Sequence, residues 1–570
     1  MAVHLSDLPA ELLFSVASYL HFTDIYSLQR TCRSISQVIR SSSQLSYQIE
    51  LEIAGMKDNP HCALPVTTRL DMLRARERAW ASFEYSFLSS LEVPHKSSGL
   101  CDLTSGVYFM GKEDDDSVTR SVQALRLPHQ VNSETEWDII QFNANIIHCE
   151  ASLENDILAS VCLAPINDIP DMSRLCVILR RYSTHNLYDG IASPIILLSE
   201  EPTGREHPAV TIEISGENLA VIVLFMDDDS DGLLYVFNWK TGSRTQKLEP
   251  IRTVNTGLVF LREDILLHPH TNSNSLNIYH IPLSSSDPVC LIQKLQLPFL
   301  KPGFGISSIE CYSDPSPTTN GSLSKNIPPR RPFGNTSEDA IVVFLLQISR
   351  EDDDDDRDDD EPHASHLVLI VHRRALLELL PSDFASSNSV VPWKAWGPPV
   401  TRWLRVNYPI YWTILSAGQR FIDFFSSPGP DQSDEPDSVD ILDFNPWHVK
   451  LAQARGSPDS KKATTTVIGG YLPSGHSTES LGLLPQEQEA TCDTMHGHNG
   501  EPENPENVLP RGNAFANDVV SRLPYVRSSS TARWTNYDSV LIEEERLIGL
   551  GTRGTDDIRL LYAVDLLYFG

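Results

Sequence analysis

No stretch of this 570-residue sequence approaches the 18 or more consecutive apolar residues of a membrane-spanning helix. None of the nine cysteines, at 32, 62, 101, 149, 162, 176, 290, 311 and 492, forms a CxxC pair, and their number is odd. Neither a disulfide framework nor a zinc module is therefore expected. Positive charge is in deficit: 45 Lys and Arg face 76 Asp and Glu, a net charge of −31. Phosphate binding needs clustered cations, so nucleic acid is excluded as the main partner. There is also no G-x-S-x-G, no H-E-x-x-H and no P-loop, which leaves an enzymatic reading without a motif. Asp7 and Glu11 stand where a secretory signal would be basic and then apolar. The expectation is a soluble protein of the cytoplasm or nucleus that needs no cofactor, where the sequons at Asn320 and Asn335 carry no weight.

What is present divides the chain in two. The first 90 residues read as helices. In LPAELLFSVASYL (8–20) the residues Leu12, Leu13, Val16, Ala17 and Leu20 form a wide apolar stripe of period 3.6. Pro9 suits a first helical turn. Thr23 is placed to cap a second helix with Ile25 and Leu28. Cys32, Ile35, Val38 and Ile39 mark a third, ending in the run Ser41 to Ser43. A later helix over 69–85 carries Leu70, Leu73, Trp80 and Phe83 on one stripe, with Arg74, Arg76 and Arg78 read as a solvated face.

Beyond about Leu103 the pattern changes to short strands. LAVIVLF (219–225) and LLYVFNW (233–239) read as a hairpin around an acidic loop. ILLH (265–268), SLNIYHI (275–281), IVVFLLQI (341–348), HLVLIVH (366–372), VDILDF (439–444), RLIGL (546–550) and RLLYAVDLLYF (559–569) continue the series. So many strands without alternating helices favour an all-β repeat architecture. YVFNWKTG (235–242) is like the end of a WD-type blade, yet the Gly-His and Trp-Asp pairs of that repeat do not recur at a fixed period. A degenerate β-propeller is the expected fold, with a pair of β-sandwiches as the alternative. The expected domains are 1–50, 51–100 as a helical linker, and 101–570 as the β domain. Disordered inserts are expected near 315–338, 349–363 and 454–517. The second of these contains EDDDDDRDDDE (351–361), net −9.

Three constellations deserve weighing against a plain structural reading. Asp227, Asp229 and Asp231 before Gly232 have calcium-loop spacing, but Tyr235 and Asn238 occupy the later ligand positions, so an acidic hairpin loop is expected. Gly549-x-Gly551-x-x-Gly554 has no room for the helix of a dinucleotide fold after it and reads as a tight turn. Cys492, His496 and His498 fall in low-complexity sequence without a fourth ligand. The aromatic group Trp393, Trp396, Trp403, Tyr408, Tyr411 and Trp412 is read as blade packing rather than a peptide groove.

Residues 8 to about 47 resemble an F-box. Leu8-Pro9, Glu11, Leu12-Leu13, Val16, Tyr19-Leu20, Asp24-Ile25, Leu28 and Cys32-Arg33 match its pattern in register, with Ile35 where many members place Trp. More loosely, ARERAWASF (75–83), CDLTSGVYFMG (101–111), WKAWGPPVTRWL (393–404), SAGQRFIDF (416–424), LPYVRSSS (523–530) and LIEEERLIGL (541–550) resemble fungal F-box proteins with a divergent propeller. The resemblance implies docking on the Skp-type adaptor of an SCF-type cullin–RING ubiquitin ligase through Leu8, Pro9, Leu12, Leu13, Val16, Leu20, Ile25, Leu28, Cys32 and Ile35. It further implies a substrate receptor without chemistry of its own, whose β domain holds a protein substrate. Forty residues bury too little surface to stand alone, which agrees with a partner. In the alternative, a scaffold outside any ligase, the helices pack within the molecule. A DNA-binding helix-turn-helix fails because Asp7, Glu11, Asp24 and Glu50 offset Arg30, Arg33 and Arg40. If the β domain is a ring, the strand near 107–110 is expected to close it against 559–569.

Overall fold

A strand with apolar residues on both faces needs a neighbour on each side. Val221 and Val223 pack one way while Ala220 and Ile222, one residue out of step, pack the other. The computed structural model shows how this is met. It describes residues 5 and 8–570, except 132, 134, 167–168, 170, 204, 226–231, 248–254, 283–288, 318–330, 351–363, 383, 385–387, 407–413, 426–437, 456–464, 469–506, 510–513, 531–533, 535–536 and 556–557.

Among the described residues, seven sheets of four or five strands follow one another along the chain. Sheet 1 spans Ser97–Gln141, sheet 2 Asn145–Pro202, sheet 3 Ala209–Lys247 and sheet 4 Val259–Gln296, with Ser389–Val391 added in parallel. Sheet 5 runs from Phe304 to Val406 and sheet 6 from Ser416 to Ser529. Sheet 7 joins Ser539–Glu543, Arg546–Thr555 and Ile558–Tyr568 to an early strand, Phe87–Glu92. Each successive pair of sheets encloses its own apolar core: 1 with 2, 2 with 3, 3 with 4, 4 with 5, 5 with 6 and 6 with 7. A seventh core, containing Leu91, Leu103, Tyr108, Met110, Ile548 and Leu566, joins sheet 7 back to sheet 1. Seven cores between seven sheets make a closed ring, a seven-bladed β-propeller, rather than two sandwiches.

The ring closes through Phe87–Glu92, which pairs antiparallel with the last strand from Phe87↔Tyr568 to Glu92↔Ala563. Val107–Glu113 is instead the second strand of sheet 1, paired with Thr104 and Arg126 at its start. The β domain thus begins before the boundary at 101. The expected hairpin is present, with Leu219 opposite Phe237 and Val221 opposite Tyr235. Gly549, Gly551 and Gly554 lie within the strand Arg546–Thr555 and make no turn; a Cβ on Gly549 would fall 2.6 Å from the Tyr537 ring. Trp393, Trp396 and Trp403 are buried in the core between sheets 4 and 5.

Eight helices accompany the ring among the described residues: α1 Ala10–Ala17, α2 Phe22–Gln29, α3 Arg33–Ser41, α4 Ser43–Ala54, α5 Val66–Ser82, α6 Arg373–Glu378, α7 Trp393–Val400 and α8 Pro446–Arg455. The N-terminal module has a fourth helix beyond the three expected, capped by Ser42 and stopped at Gly55, whose φ of 67° suits glycine. His21, not Thr23, caps α2, accepting from Thr23 N–H. None of the described helices is long and apolar enough to cross a membrane.

The inserts are more structured at their ends than their composition suggests. In the first, Ser215 Oγ–H donates to Pro317 O at 2.6 Å, and Phe333–Asn335 pairs with Met56–Asp58. In the third, Thr465–Ile468 and Asn507–Leu509 are strands, and Ala514 and Phe515 are buried. The acidic run, the Asp227–Asp231 loop, Asn320, Tyr408, Tyr411, Trp412 and the Cys492, His496, His498 group lie outside the described residues.

Candidate docking surface

The amphipathic stripe of α1 is wide enough to serve two faces. Leu13 and Ala17 point inward and form the module's own core with Phe22, Ile25, Ile35, Ile39, Leu45 and Ile49. On the outer face Leu12, Val16 and Tyr19 keep 52%, 41% and 88% of their surface exposed, and Leu5 and Pro9 are exposed beside them. Leu12 and Val16 are one turn apart on α1, with Pro9 at its N-cap and Tyr19 in the turn that follows, so an apolar strip runs along its outer face. Leu12 and Leu13 N–H both donate to Pro9 O, at 3.0 and 3.1 Å, which starts the helix at the Leu-Pro pair.

The ten residues assigned to adaptor contact therefore separate. Leu13, Ile25 and Ile35 are buried within the module and have no surface to offer a partner. Leu8, Leu20, Leu28 and Cys32 are half-buried at the edge of that core, and Pro9, Leu12 and Val16 face outward. Tyr19 was missing from the ten, although its i+3 spacing from Val16 was readable.

The opposite side of the module is seated on the ring. Trp447 of α8 meets Phe22 edge to face at 4.6 Å, and Asn445 Nδ2–H donates to Ile53 O at 2.8 Å. Trp80 of α5 stacks on Phe569 at 4.1 Å. Arg76, expected in solvent, is buried: it donates to Glu544 O at 2.6 Å and to Glu77 Oε1 at 3.1 Å. Burial holds its pKa below the usual arginine value. Arg74 instead pairs with Glu50 at 2.6 Å, and Arg78 is exposed. The strand Met56–Asp58 and its partner Phe333–Asn335 add a ribbon, pinned where Arg331 meets Glu543 at 2.5 Å and Glu544 at 3.2 Å.

At the middle of the ring the first strands of several sheets line a cavity of about 320 Å³. Asp102, Glu150, Glu213, Glu310 and Asp314 face it. Burial pushes Asp102 up to about 6, and Glu213 and Asp314 up to about 8. Two of the five have structural work. Asp102 accepts from Ala151 N–H at 2.9 Å and Glu150 from Ile214 N–H at 3.0 Å, tying sheet 1 to sheet 2 and sheet 2 to sheet 3. No group of three or more metal-ligating side chains with suitable geometry occurs among the described residues.

Residues 5–51 match the model of the F-box-like family, which agrees with the module's bounds in the structure. No curated protein matches the chain. Among solved structures, the WD40 domain of SCAP from fission yeast is 8% identical, covering 85% of this chain and 98% of its own, with a TM-score of 0.30. The C-terminal WD40 domain of Sif2 is 11% identical over 51% of this chain and 85% of its own, at 0.22. An exo-β-1,3-galactanase from Phanerochaete chrysosporium is 7% identical over 84% and 100%, at 0.21. Likenesses this loose carry no argument, and the ring rests on its own seven sheets. The chain carries an F-box-like domain seated on a seven-bladed β ring.

Proposed function

We propose that this protein is a substrate-receptor subunit of a cullin–RING ubiquitin ligase. The outer strip of α1 binds a Skp-type adaptor, the adaptor leads to the cullin, and the β ring holds a protein substrate. The ligase then acts by proximity, since holding two reactants together raises their effective concentration. The observation that supports this is the division of α1. Its inner face completes the module's core, while Leu12, Val16 and Tyr19 form an apolar strip that is exposed among the described residues. A second reading has an observation of its own: α4 and α5 pack on the ring, as a scaffold outside any ligase requires. That packing covers the far side of the module and leaves the α1 strip free, so it is compatible with docking.

Co-purification from cells separates the two readings. The adaptor and cullin accompany the wild type and are lost with Leu12→Asp/Val16→Asp. Their absence from the wild type would leave the scaffold.

A further inference from the structure

The seat between the helical module and the ring contains one histidine placed between two carboxylates from different parts of the molecule. His448, in the first turn of α8, donates through Nδ1 to Asp443 Oδ2 at 2.8 Å, and its Nε2 lies 3.7 Å from Glu77 Oε2 on α5. Asp443 ends a strand of sheet 6, so His448 bridges ring and helix. Arg420 of the same sheet completes the group, 2.6 Å from Glu77 and 3.4 Å from Asp443, with its guanidinium over the Trp80 ring. Arg76 holds the other oxygen of Glu77. Among the described residues the other charges nearby are engaged elsewhere, and the carboxyl of Asp423, beside Arg527 and Asp440, is pushed up to about 7 by burial. Arg527 pairs with Asp440, Glu50 with Arg74, and Glu52 with Phe22 N–H and His21. Lys450 of α8 lies over Trp447.

Arg76 and Arg420 balance Glu77 and Asp443, so the proton on His448 decides whether α8 is held to both carboxylates or, with the single N–H of the neutral ring, to one of them. We infer that His448 is a proton-dependent clamp that fixes the helical module to the ring and loosens it as pH rises.

Burial lowers the His448 pKa, but Asp443, its hydrogen bond and Glu77 outweigh this and leave it above the ordinary 6.5. A histidine raised on folding contributes its full stabilisation below about 6.5 and loses it as pH climbs through the folded value. Asp443 is held down to about 2, despite burial, by His448 and Arg420, and Glu77 is also lowered by Arg420 and Arg76. Their contributions are present above the ordinary carboxylate range and are lost in acid. The seat is therefore tightest in mildly acidic solution. Its neighbours carry the effect outward: Trp447 touches Phe22 at the base of α2, and Asn445 holds the end of α4.

Hydrogen exchange on the full chain tests this, with intrinsic rates corrected for pH. Protection of the α5 amides should fall roughly three- to tenfold between pH 6 and 8.5, while the strand Ser275–His280 in sheet 4 does not follow. In His448→Gln, α5 should be at the high-pH level throughout. Unchanged α5 protection in the wild type, or an undiminished pH dependence in His448→Gln, would overturn the clamp. If that variant fails to fold, the wild type alone decides, because an equal loss in α5 and sheet 4 also contradicts it.

Discussion

Leu12 and Leu13 are neighbours of one chemical type with opposite surroundings. Leu13 is 5% exposed in the module core and Leu12 is 52% exposed on the strip. Leu13→Asp places a carboxylate among Phe22, Ile25 and Ile35 without a partner. It should cost about 3 kcal/mol or more and unfold the module, as thermal denaturation followed through α1–α4 amide signals would show. Leu12→Asp should change stability by no more than about 0.5 kcal/mol. Arg76 makes the converse point. The same helix carries buried Arg76 and, two residues on and so on another face, exposed Arg78, and only the first leaves buried polar groups behind when truncated. Arg76→Ala removes one of the two arginines on Glu77 and strands the Glu544 carbonyl, and should cost about 1–3 kcal/mol in chemical denaturation, against almost nothing for Arg78→Ala.

At the scale of elements, the apolar runs were the legible part. Strands such as 341–348 and 366–372 announce themselves because both faces are covered, and they pair in the structure from Ile341↔His372 to Ser349↔Ala364. The closing strand was not legible for the same reason reversed. FLSSLE has one buried residue, Leu91, and its partner lies at the far end of the chain, so neither period nor local sequence marks it. Glycine spacing misled in a different way, since glycines serve turns and close approaches alike. Gly549 is a close approach: Tyr537 lies over it and bonds Asp565 through its hydroxyl at 2.7 Å. Gly549→Val should displace that ring and cost about 1–3 kcal/mol, read as a lower denaturation midpoint. Of the candidate site, the strip on α1 was readable from its period. Which residues of the motif serve the module's own core was not, because Ile25 and Ile35 meet Leu13 only once four helices have packed.

For the whole molecule, the module and the ring form one seat rather than two linked domains. The chain enters through α1–α5, closes the last blade with Phe87–Glu92, and returns to the module through the Phe333–Asn335 ribbon and α8. Such a body fixes the direction in which the ring faces once α1 is docked, which suits presentation of a bound protein to a second enzyme. The outer strip of α1 is the proposed docking surface. The most direct measurement is titration of the purified full chain with a purified Skp-type adaptor, for wild type and for Leu12→Asp/Val16→Asp of unchanged melting temperature. The wild type should bind saturably, and the variant more weakly by roughly tenfold or more. No binding by the wild type, or equal binding by a folded variant, would contradict it.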